Sequence, residues 1–422
     1  MLSHEKGEKT GGITVLFSCR GKSIKVRFGF DMWMTMCNFA VRTRYRMAKD
    51  TLRTAMAGRG REPEKIVVAF DSFKGCMSAE EACSAAAEGV RSVLPRVQVV
   101  ELPLSDGGEG LVACVKRLRP TVDVTLSVHG PLMNLVNCSY ALSPDGKTAY
   151  MDMAAAGGLA LVPEDKRNPM NTTTYGVGEM MADAIGRGCE TMVMGIGGSA
   201  TCDAGEGMLQ ALRHKNCLNT PCRLVVACDV DSPLYGKRGA AHVFAPQKGA
   251  TPEQVVLLDR RLRAFAHRAE QAGIASASMA HHPGAGAAGG LGYALLTYLH
   301  AQLRSGIDIV LDIAGFDELI CDADIVITGE GRSDAQTMMG KVPCGVQRRC
   351  MGRGVETWLL SGAIDDPSSI LSSHFSRVQS INANDLRPLS QLLLPEVAKE
   401  NLRNTARKLM LEVFIGSPQK RL

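Results

Sequence analysis

The chain has 422 residues, of which 45% are hydrophobic and 22% are charged, and a formal net charge of +5. This length allows two or three domains with their own cores, and the composition excludes a coiled coil, a disulfide scaffold and a disordered chain. The small charge gives no reason to expect a nucleic-acid partner. No apolar run approaches the roughly 20 residues of a membrane-spanning helix, so no membrane partner is expected either.

The 14 cysteines contain no CxxC pair, and the N-terminus lacks the apolar region of a secretory signal. A zinc site at Cys217, Cys222 and Cys228 is an alternative, but the spacing matches no usual zinc motif. We therefore expect scattered free thiols in a reducing environment and a cytoplasmic location. Residues 1–63 have weak periodicity and a basic stretch, RTRYRMAKDTLRTAMAGRGREPEK, which together predict a poorly ordered basic extension.

The regular pattern begins with KIVVAF (65–70), which predicts a buried parallel strand. Ser78 and Glu81 form a capping box that opens a helix to about Leu94, and VQVVELPL (97–104) predicts the next strand. This β–α–β order indicates a parallel sheet. Ligands of such sheets bind beyond the carboxyl ends of the strands.

Two acidic glycine-containing turns follow these strands, DSFKG (71–75) and SDGGEG (105–110). Their candidate substrate- or nucleotide-binding residues are Asp71, Ser72 and Asp106, and Lys74 is a candidate catalytic cation. The alternative is a pair of plain turns with a capping Asp.

Further strands are expected at 122–128 and 147–153 around a turn at 144–146, followed by a helix at about 173–187 and a strand running into GIGGSATCDAG (195–205). In this last turn Gly197, Gly198 and Ser199 offer N–H and hydroxyl donors to a phosphate at the start of the helix expected at 204–212. Asp203 is the first candidate for the general base; the alternative is a helix N-cap.

A strand at 223–229 ends in Asp229, a candidate magnesium ligand, and PQKGA (246–250) carries Lys248, a candidate phosphate contact. A charged amphipathic helix is expected at 253–272. GAGAAGG (284–290) leads into an apolar helix, and its Gly286 is a candidate nucleotide contact. It also fits GxGxxG, but no strand precedes it, so a dinucleotide-binding enzyme is a weak alternative.

The last charged turn is ITGEGRSDAQ (327–336), after a strand predicted over 324–331. Glu330 is a candidate magnesium ligand, Asp334 is the second candidate base, and Arg332 and Lys341 are candidates for binding phosphate or a carboxylate. The alternative is a salt bridge within the loop, which contributes little. A further strand (355–362) and a final helix (about 390–413) complete the chain.

In this order the segments resemble those of the type-1 glycerate kinases of bacterial glyoxylate, glucarate and galactarate metabolism. The best stretches are AFDSFKG, LSDGGEG, DGKTAYMDMAAAGGL, PEDKRNPMNTTTYGVGE, GIGGSATCDAGEGM, ACDVDSPLYG, PQKGATPE, GAGAAGGLG and ITGEGRSDAQ. The resemblance implies phosphorylation of (R)-glycerate to 2-phosphoglycerate with ATP and Mg²⁺, by in-line transfer to a hydroxyl. Glycerate and ATP are then the expected partners, and a homo-oligomer is left open.

The resemblance also implies an α/β fold of two domains with the ligand cleft between them. We expect residues 64–130 and 315–415 to form a discontinuous flavodoxin-like domain with a parallel sheet, and 131–314 to form a smaller domain with a mixed sheet. Ser199, Lys248 and Asp334 should then share one cavity.

The sequence departs from the family pattern at several positions. Ala204 stands where the family usually has Gly, and Ser333 where it has Ile. Between Leu212 and Arg223 about thirty family residues are missing, and only RHKNCLNTPC remains. A binding protein of the same family with impaired catalysis is therefore the alternative function.

Overall fold

A computed structural model describes residues 62–107 and 110–415, together with the backbone of two strands near the N-terminus. These strands, β1 (Gly12–Cys19) and β2 (Lys22–Gly29), pair antiparallel with Gly12 opposite Gly29. They belong to a unit of residues 1–62 that is separate from the unit formed by residues 63–422. The rest of the predicted N-terminal extension lies outside the described residues, so its poor order stays a prediction.

The larger unit contains a five-stranded sheet in which every neighbouring pair is parallel. Its strands are β3 (Lys65–Phe70), β4 (Gln98–Glu101), β11 (Ile325–Gly329), β13 (Glu356–Ser361) and β15 (Arg377–Ser380). The spatial order β15-β13-β11-β3-β4 is the flavodoxin order, 2-1-3-4-5 in chain numbering. The predicted flavodoxin-like parallel sheet is confirmed.

Helices cover both faces of this sheet, as a parallel sheet requires. One face packs against α1 (Ala79–Arg91) and α14 (Pro395–Met410), which lie against each other. The predicted capping box opens α1, with the Ser78 N–H donating to Glu81 at 2.9 Å and the Glu81 N–H to Ser78 at 3.2 Å. The expected start and end of this helix are therefore confirmed within a few residues.

The second sheet has six strands in the order β10-β9-β8-β7-β6-β5. They are β5 (Val122–His129), β6 (Leu135–Leu142), β7 (Thr148–Asp152), β8 (Thr191–Gly195), β9 (Arg223–Ala227) and β10 (Gln302–Arg304). Strands β7 to β10 are parallel, while β6 is antiparallel to both its neighbours. The predicted mixed sheet is confirmed; β6 was not predicted, and the turn at 144–146 joins it to β7.

Helices in chain order between β4 and β10 are α2 (Leu111–Leu118), α3 (Ala154–Gly157), α4 (Tyr175–Gly186), α5 (Glu206–His214), α6 (Ala240–Phe244), α7 (Pro252–Gln271) and α8 (Ala287–Tyr298). After β10 come α9 (Gly306–Ala314), α10 (Phe316–Leu319), α11 (Val342–Arg353), α12 (Ile370–His374) and α13 (Leu389–Leu392). Two short strands, β12 (Arg332–Ser333) and β14 (Ala363–Ile364), pair with each other just after β11 and β13 of the five-stranded sheet. None of the helices in the described ranges is both long and apolar enough to cross a membrane.

One apolar layer joins the two sheets. It contains Val67 and Val326 of the parallel sheet, Val193 and Val225 of the mixed sheet, and Ile307 of α9 between them. Strand β5, which the expected division at residue 130 assigns to the flavodoxin-like domain, pairs with β6 in the mixed sheet instead. The expected boundary at residue 130 is therefore wrong for β5, because the parallel-sheet part of the chain ends with α2, before residue 122. The other domain boundaries stay predictions.

Candidate active site

The first group of predicted residues lies where the strand order of the parallel sheet reverses, between β3 and β11. Asp71 follows β3 and Glu330 follows β11, and the Asp71 N–H donates to the Gly329 carbonyl at 3.0 Å. This reversal is the switch point at which open α/β sheets bind ligands, because the connections leave in opposite directions and open a crevice there.

The Asp71 carboxyl is almost fully enclosed, with 9% of the residue exposed. The pKa of Asp71 is raised to about 6, mainly by burial and also by the neighbouring carboxylates of Asp106 and Glu330, whereas the Ser72 N–H and Lys74 oppose the shift. The Ser72 N–H donates to Asp71 Oδ1 at 2.7 Å. Two acids from other turns, Asp106 and Glu330, and Lys74 from the same turn are therefore close enough to influence the Asp71 carboxyl. A cation bound there would relieve the repulsion among the three acids.

Glu330 is held in place by three side chains. Its Oε1 accepts from the Thr337 hydroxyl at 2.6 Å and the Ser333 hydroxyl at 3.1 Å, and its Oε2 lies 3.2 Å from Lys341 Nζ. Ser333, one of the departures from the family pattern, thus provides one of the donors. Because Glu330 already has these partners, a metal would have to share its oxygens or displace Lys341.

Arg332 and Asp334 lie in the same loop, and Arg332 contacts Asp334 there and Asp365 in a second loop. The Arg332 guanidinium is mostly exposed and lies 3.0 Å from Asp365 and 3.6 Å from Asp334. Asp334 caps the 3₁₀ turn Ala335–Met339 by accepting the Gln336 N–H at 2.8 Å. The alternative of an intraloop salt bridge is therefore present, and the roles of both residues toward a ligand stay predictions.

Asp106 connects the switch point with the end of β9. Burial is the main cause of the raised pKa of both Asp71 and Asp229, and the Asp106 carboxylate raises both further. Asp229 accepts the Gly306 N–H at 3.1 and 3.2 Å, at the start of α9. Gly107 has a φ of +69°, and a Cβ added there would lie 3.0 Å from the Gly306 carbonyl oxygen, so this close approach requires glycine.

The carboxyl ends of strands from both sheets therefore converge. We call Asp71, Asp106, Asp229 and Glu330, with Lys74 and Lys341, the strand-end cluster. Within residues 62–107 and 110–415, no three acidic, histidine or cysteine side chains are close enough to hold a metal ion by themselves. Mg²⁺ in phosphoryl-transfer sites is typically held by one or two carboxylates and by substrate phosphates, so the oxygen donors of this cluster fit it.

The second group of predicted residues surrounds Lys248, which is only 3% exposed. Its Nζ donates to the Ser199 hydroxyl oxygen and to the Thr201 carbonyl, both at 2.7 Å. Burial lowers the pKa of Lys248 to about 8. Ser199 and Lys248 are therefore bonded to each other, but the lysine lies beneath the 197–201 turn and supports it from inside. Within the described residues no hydrogen bond or ion pair joins these two to Asp334, so a cavity shared by all three stays a prediction.

Asp203 makes the contacts of a helix cap. It accepts the Thr174 N–H at 2.8 Å and the Thr174 hydroxyl at 2.9 Å, and the N–H groups of Gly205 and Gly207 at 3.2 and 3.3 Å. These bonds use most of the acceptor capacity of a carboxylate. The alternative of a structural cap is therefore observed, and the role of Asp203 as general base stays a prediction that this geometry disfavours.

Gly286 is placed differently from the prediction of a nucleotide contact. Its N–H donates to the Ser232 carbonyl at 2.8 Å, and a Cβ added there would collide with the Pro233 carbonyl. The residue is glycine because two segments pack closely, and its amide is not available to a phosphate. Gly286 as a nucleotide contact stays a prediction, which this hydrogen bond disfavours for its amide.

Gly197 and Gly198 line a cavity together with Asp152, a residue that sequence reasoning did not single out. Asp152 ends β7 and accepts the N–H groups of Leu111 and Val112 at 3.1 and 3.2 Å, which caps α2. The available signal was its place at the carboxyl end of a strand within DGKTAYMDMAAAGGL. The helix that it caps begins 41 residues earlier, and only the folded chain brings the two together.

The shortened segment between Leu212 and Arg223 lies away from these residues. It runs from the end of α5 to the start of β9, whereas Asp229 follows the carboxyl end of that strand. The connection closes through bonds such as Cys217 N–H to the Leu212 carbonyl at 2.8 Å. The shortened connection therefore lies at the opposite end of β9 from Asp229.

Comparisons with known proteins agree with this architecture. A profile described as the glycerate kinase family matches residues 66–220 and 213–413, two segments that overlap in the shortened connection. A glycerate kinase of Bacillus subtilis (strain 168) is 43% identical over 74% of this chain and 88% of its own length. The chain belongs to the glycerate kinase family. The predicted resemblance is confirmed, as is the expectation that the protein is a phosphotransferase.

Two further relatives of this glycerate kinase family member were found. A glycerate 2-kinase of Escherichia coli (strain K12) is 40% identical over 76% of the chain and 92% of its own length. The crystal structure of a candidate glycerate kinase 2 from Salmonella typhimurium LT2 has a TM-score of 0.70, with 38% identity, and covers 84% of this chain and 99% of that one. These matches cover both sheets of the chain, and every named relative is a glycerate kinase. They therefore remove the alternative of a dinucleotide-binding enzyme.

Proposed function

We propose that the protein phosphorylates (R)-glycerate to 2-phosphoglycerate, with ATP as phosphoryl donor and Mg²⁺ as cofactor. The observation that carries the proposal is the strand-end cluster, with Asp71 and Glu330 at the switch point and a lysine beside each acid. Phosphoryl transfer needs positioning and neutralisation of charge rather than covalent chemistry, and acids with lysines at a crevice provide both. Family membership supports the substrate.

Mg²⁺ would be held by Asp229 and Glu330, with Asp106 and Asp71 near enough to contribute. When bound it neutralises negative charge on the phosphates. The raised pKa values of Asp71 and Asp229 support this assignment, because both carboxyls are buried close to Asp106 without enough positive charge to compensate them.

Asp71 is also the carboxyl best suited to take the proton of the glycerate hydroxyl. Its pKa of about 6 is close to a neutral working pH, at which a general base is most effective. Asp203 and Asp334, the two candidates from sequence, are both used as caps. Asp203 would then maintain the Gly197–Ser199 turn, which offers donors to a phosphate, and Asp334 would hold the loop that carries Arg332.

Lys74, Lys341 and Arg332 would bind the anionic oxygens of ATP and the carboxylate of glycerate. Lys74 and Arg332 are exposed beside the cluster, and Lys341 is partly exposed. Arg binds carboxylates with two parallel hydrogen bonds, so Arg332 suits the hydroxy acid. We propose a cytoplasmic location, because the described cysteines from Cys76 to Cys350 are free thiols of the kind that a reducing compartment maintains. A role in glyoxylate metabolism is proposed from the family resemblance.

The test is the steady-state rate of ADP formation from ATP, Mg²⁺ and (R)-glycerate in wild type, Asp71→Asn and Asp322→Asn. Asp322 lies at the amino ends of the same strands, where it pairs with Lys65 on the surface. We expect Asp71→Asn to lower kcat/KM by about 10²–10⁴-fold, as loss of a general base does, and Asp322→Asn to leave it unchanged. Wild-type turnover with no dependence on glycerate, or a fully active Asp71→Asn, would contradict the proposal.

A further inference from the structure

A cavity of about 540 Å³ lies between α2 and the segment that follows β7. Its floor is the Gly197–Gly198 turn, and its walls include Val112 and Ala113 of α2 and Ala155 of α3. Ligand sites for molecules of nucleoside size and above have about 300–1,000 Å³. A three-carbon acid such as glycerate would fill only a small part of this volume.

The side chains of the lining disfavour an anion, although the N–H groups of the Gly197–Gly198 turn at its floor remain candidates for a phosphate contact. Two charged residues contribute to it, Asp152 and Lys116, and the lysine is paired with Asp123 at 2.6 Å. The remaining lining consists of four alanines, four glycines, Ser139 and two larger apolar side chains, Val112 and Leu159. A carboxylate or phosphate placed here would meet the negative charge of Asp152 without a dedicated cation, whereas a neutral, flat, largely apolar group would contact the methyl walls on both faces.

The cavity adjoins the strand-end cluster across one turn. A Cβ added at Gly195 would lie 2.7 Å from Asp152 Oδ1 and 3.5 Å from the Gly107 carbonyl, so these three groups meet at one point. Asp106, the neighbour of Gly107, belongs to the cluster that raises the pKa of Asp71. A ligand with an uncharged end in the cavity and a charged end beyond this turn would satisfy both environments.

We propose that the cavity holds the adenosine part of ATP and that the phosphates extend toward the strand-end cluster. Asp152 and the Ser139 hydroxyl are the polar groups in its wall that suit ribose hydroxyls or the adenine amino group. Glycerate is then bound outside the cavity, near Arg332 and Lys74. The inference rests on the proposed function in that ATP is the donor.

Two exposed alanines of the lining, Ala113 and Ala160, allow a test that spares the core. Each is replaced by Leu, which fills part of the cavity, and the matched control is Ala272→Leu at the exposed end of α7. ATP binding is measured by calorimetry without glycerate, and adenosine is tested as a competitor of ATP. A side chain that occupies part of a fitted pocket weakens ligand binding by about 10-fold or more. We therefore expect the Kd of ATP to rise by this factor in both cavity variants and to stay unchanged in the control.

The outcome separates this inference from the proposed function. Adenosine should compete with ATP and leave the KM of glycerate unchanged. If the cavity variants bind ATP as wild type does, or if they raise the KM of glycerate instead, the assignment is wrong. A third outcome is that the two substitutions weaken ATP binding but the wild-type protein does not phosphorylate glycerate. In that case the assignment of the cavity holds and the proposed function fails.

Discussion

The two groups of charged residues at the strand ends differ in how their charges are compensated. Around Lys248 every strong group has its partner inside the protein, since the ammonium binds Ser199 and Thr201 and Asp203 caps α5. In the strand-end cluster the acids raise one another's pKa and the lysines are partly exposed. The first arrangement fixes a turn, and we propose that the second is stabilised by a charged ligand from outside.

The largest difference should appear in stability when one acid of each group is neutralised. Asp203→Asn removes acceptor capacity from buried N–H and hydroxyl donors, so we expect the free energy of unfolding to fall by about 2–3 kcal/mol. Asp71→Asn removes a carboxylate whose burial is unfavourable, as its raised pKa shows, and should not lower stability at pH 7. Urea unfolding of both variants measures this. Equal losses would remove the distinction between the groups.

The pH dependence of Lys248→Met sharpens the comparison. In the folded protein the pKa of Lys248 is about 8, below its ordinary value of 10.5. Below pH 8 the lysine is protonated in both states, and the full cost of burying the charge is present. Between pH 8 and 10.5 the folded protein releases the proton while the unfolded chain keeps it, so wild-type stability rises with pH by up to about 3 kcal/mol relative to Lys248→Met.

This rise is measured by urea unfolding of both proteins from pH 7 to 10.5, with the difference between them taken at each pH. A difference that stays constant, or that falls with increasing pH, would mean that Lys248 is not buried as a charged group. The substitution also removes a donor from Ser199, so a constant offset between the two proteins is expected in addition.

Lys74→Met tests an exposed cation of the strand-end cluster. Lys74 lies beside Asp71 and lowers the pKa of that carboxyl. We expect kcat/KM to fall by about 10-fold through loss of a phosphate or carboxylate contact, with stability unchanged within about 0.5 kcal/mol because the side chain is at the surface. A large loss of stability with normal kcat/KM would place Lys74 in the structural group instead.

The smallest expected effect is at Ala204, in the turn that Lys248 and Asp203 hold. Its φ of +56° is the left-handed conformation, which is strained for alanine. Ala204→Gly should therefore raise the free energy of unfolding by about 0.5 kcal/mol, after the greater flexibility of the unfolded chain is subtracted. Ala200→Gly, a buried neighbour without positive φ, is the control and should be destabilising.

Much of this arrangement could be predicted from local sequence. KIVVAF and the Ser78 capping box specify their elements through short-range chemistry, and the acids after β3 and β11 follow from the rule on strand ends. Strand β6 was missed because LVNCSYAL is partly polar and exposed along its first half. An antiparallel strand with one partly exposed face lacks the continuous apolar run of a buried parallel strand.

The roles of Lys248 and Asp203 could not be obtained in this way. A lone lysine in a sequence is normally solvated, and only the packing of the 246–248 turn beneath Ser199 buries this one. Asp203 accepts from Thr174, 29 residues earlier in the chain, and no local pattern predicts that contact. Asp152 was missed for the same reason, since the helix it caps begins 41 residues before it.

The most direct test of the account is the identity of the product formed by wild type from ATP, Mg²⁺ and (R)-glycerate, followed by phosphorus and proton NMR. The account predicts that ADP and 2-phosphoglycerate appear in equal amounts and that removal of Mg²⁺ with a chelator stops the reaction. Formation of 3-phosphoglycerate, or release of inorganic phosphate with glycerate unchanged, would contradict it.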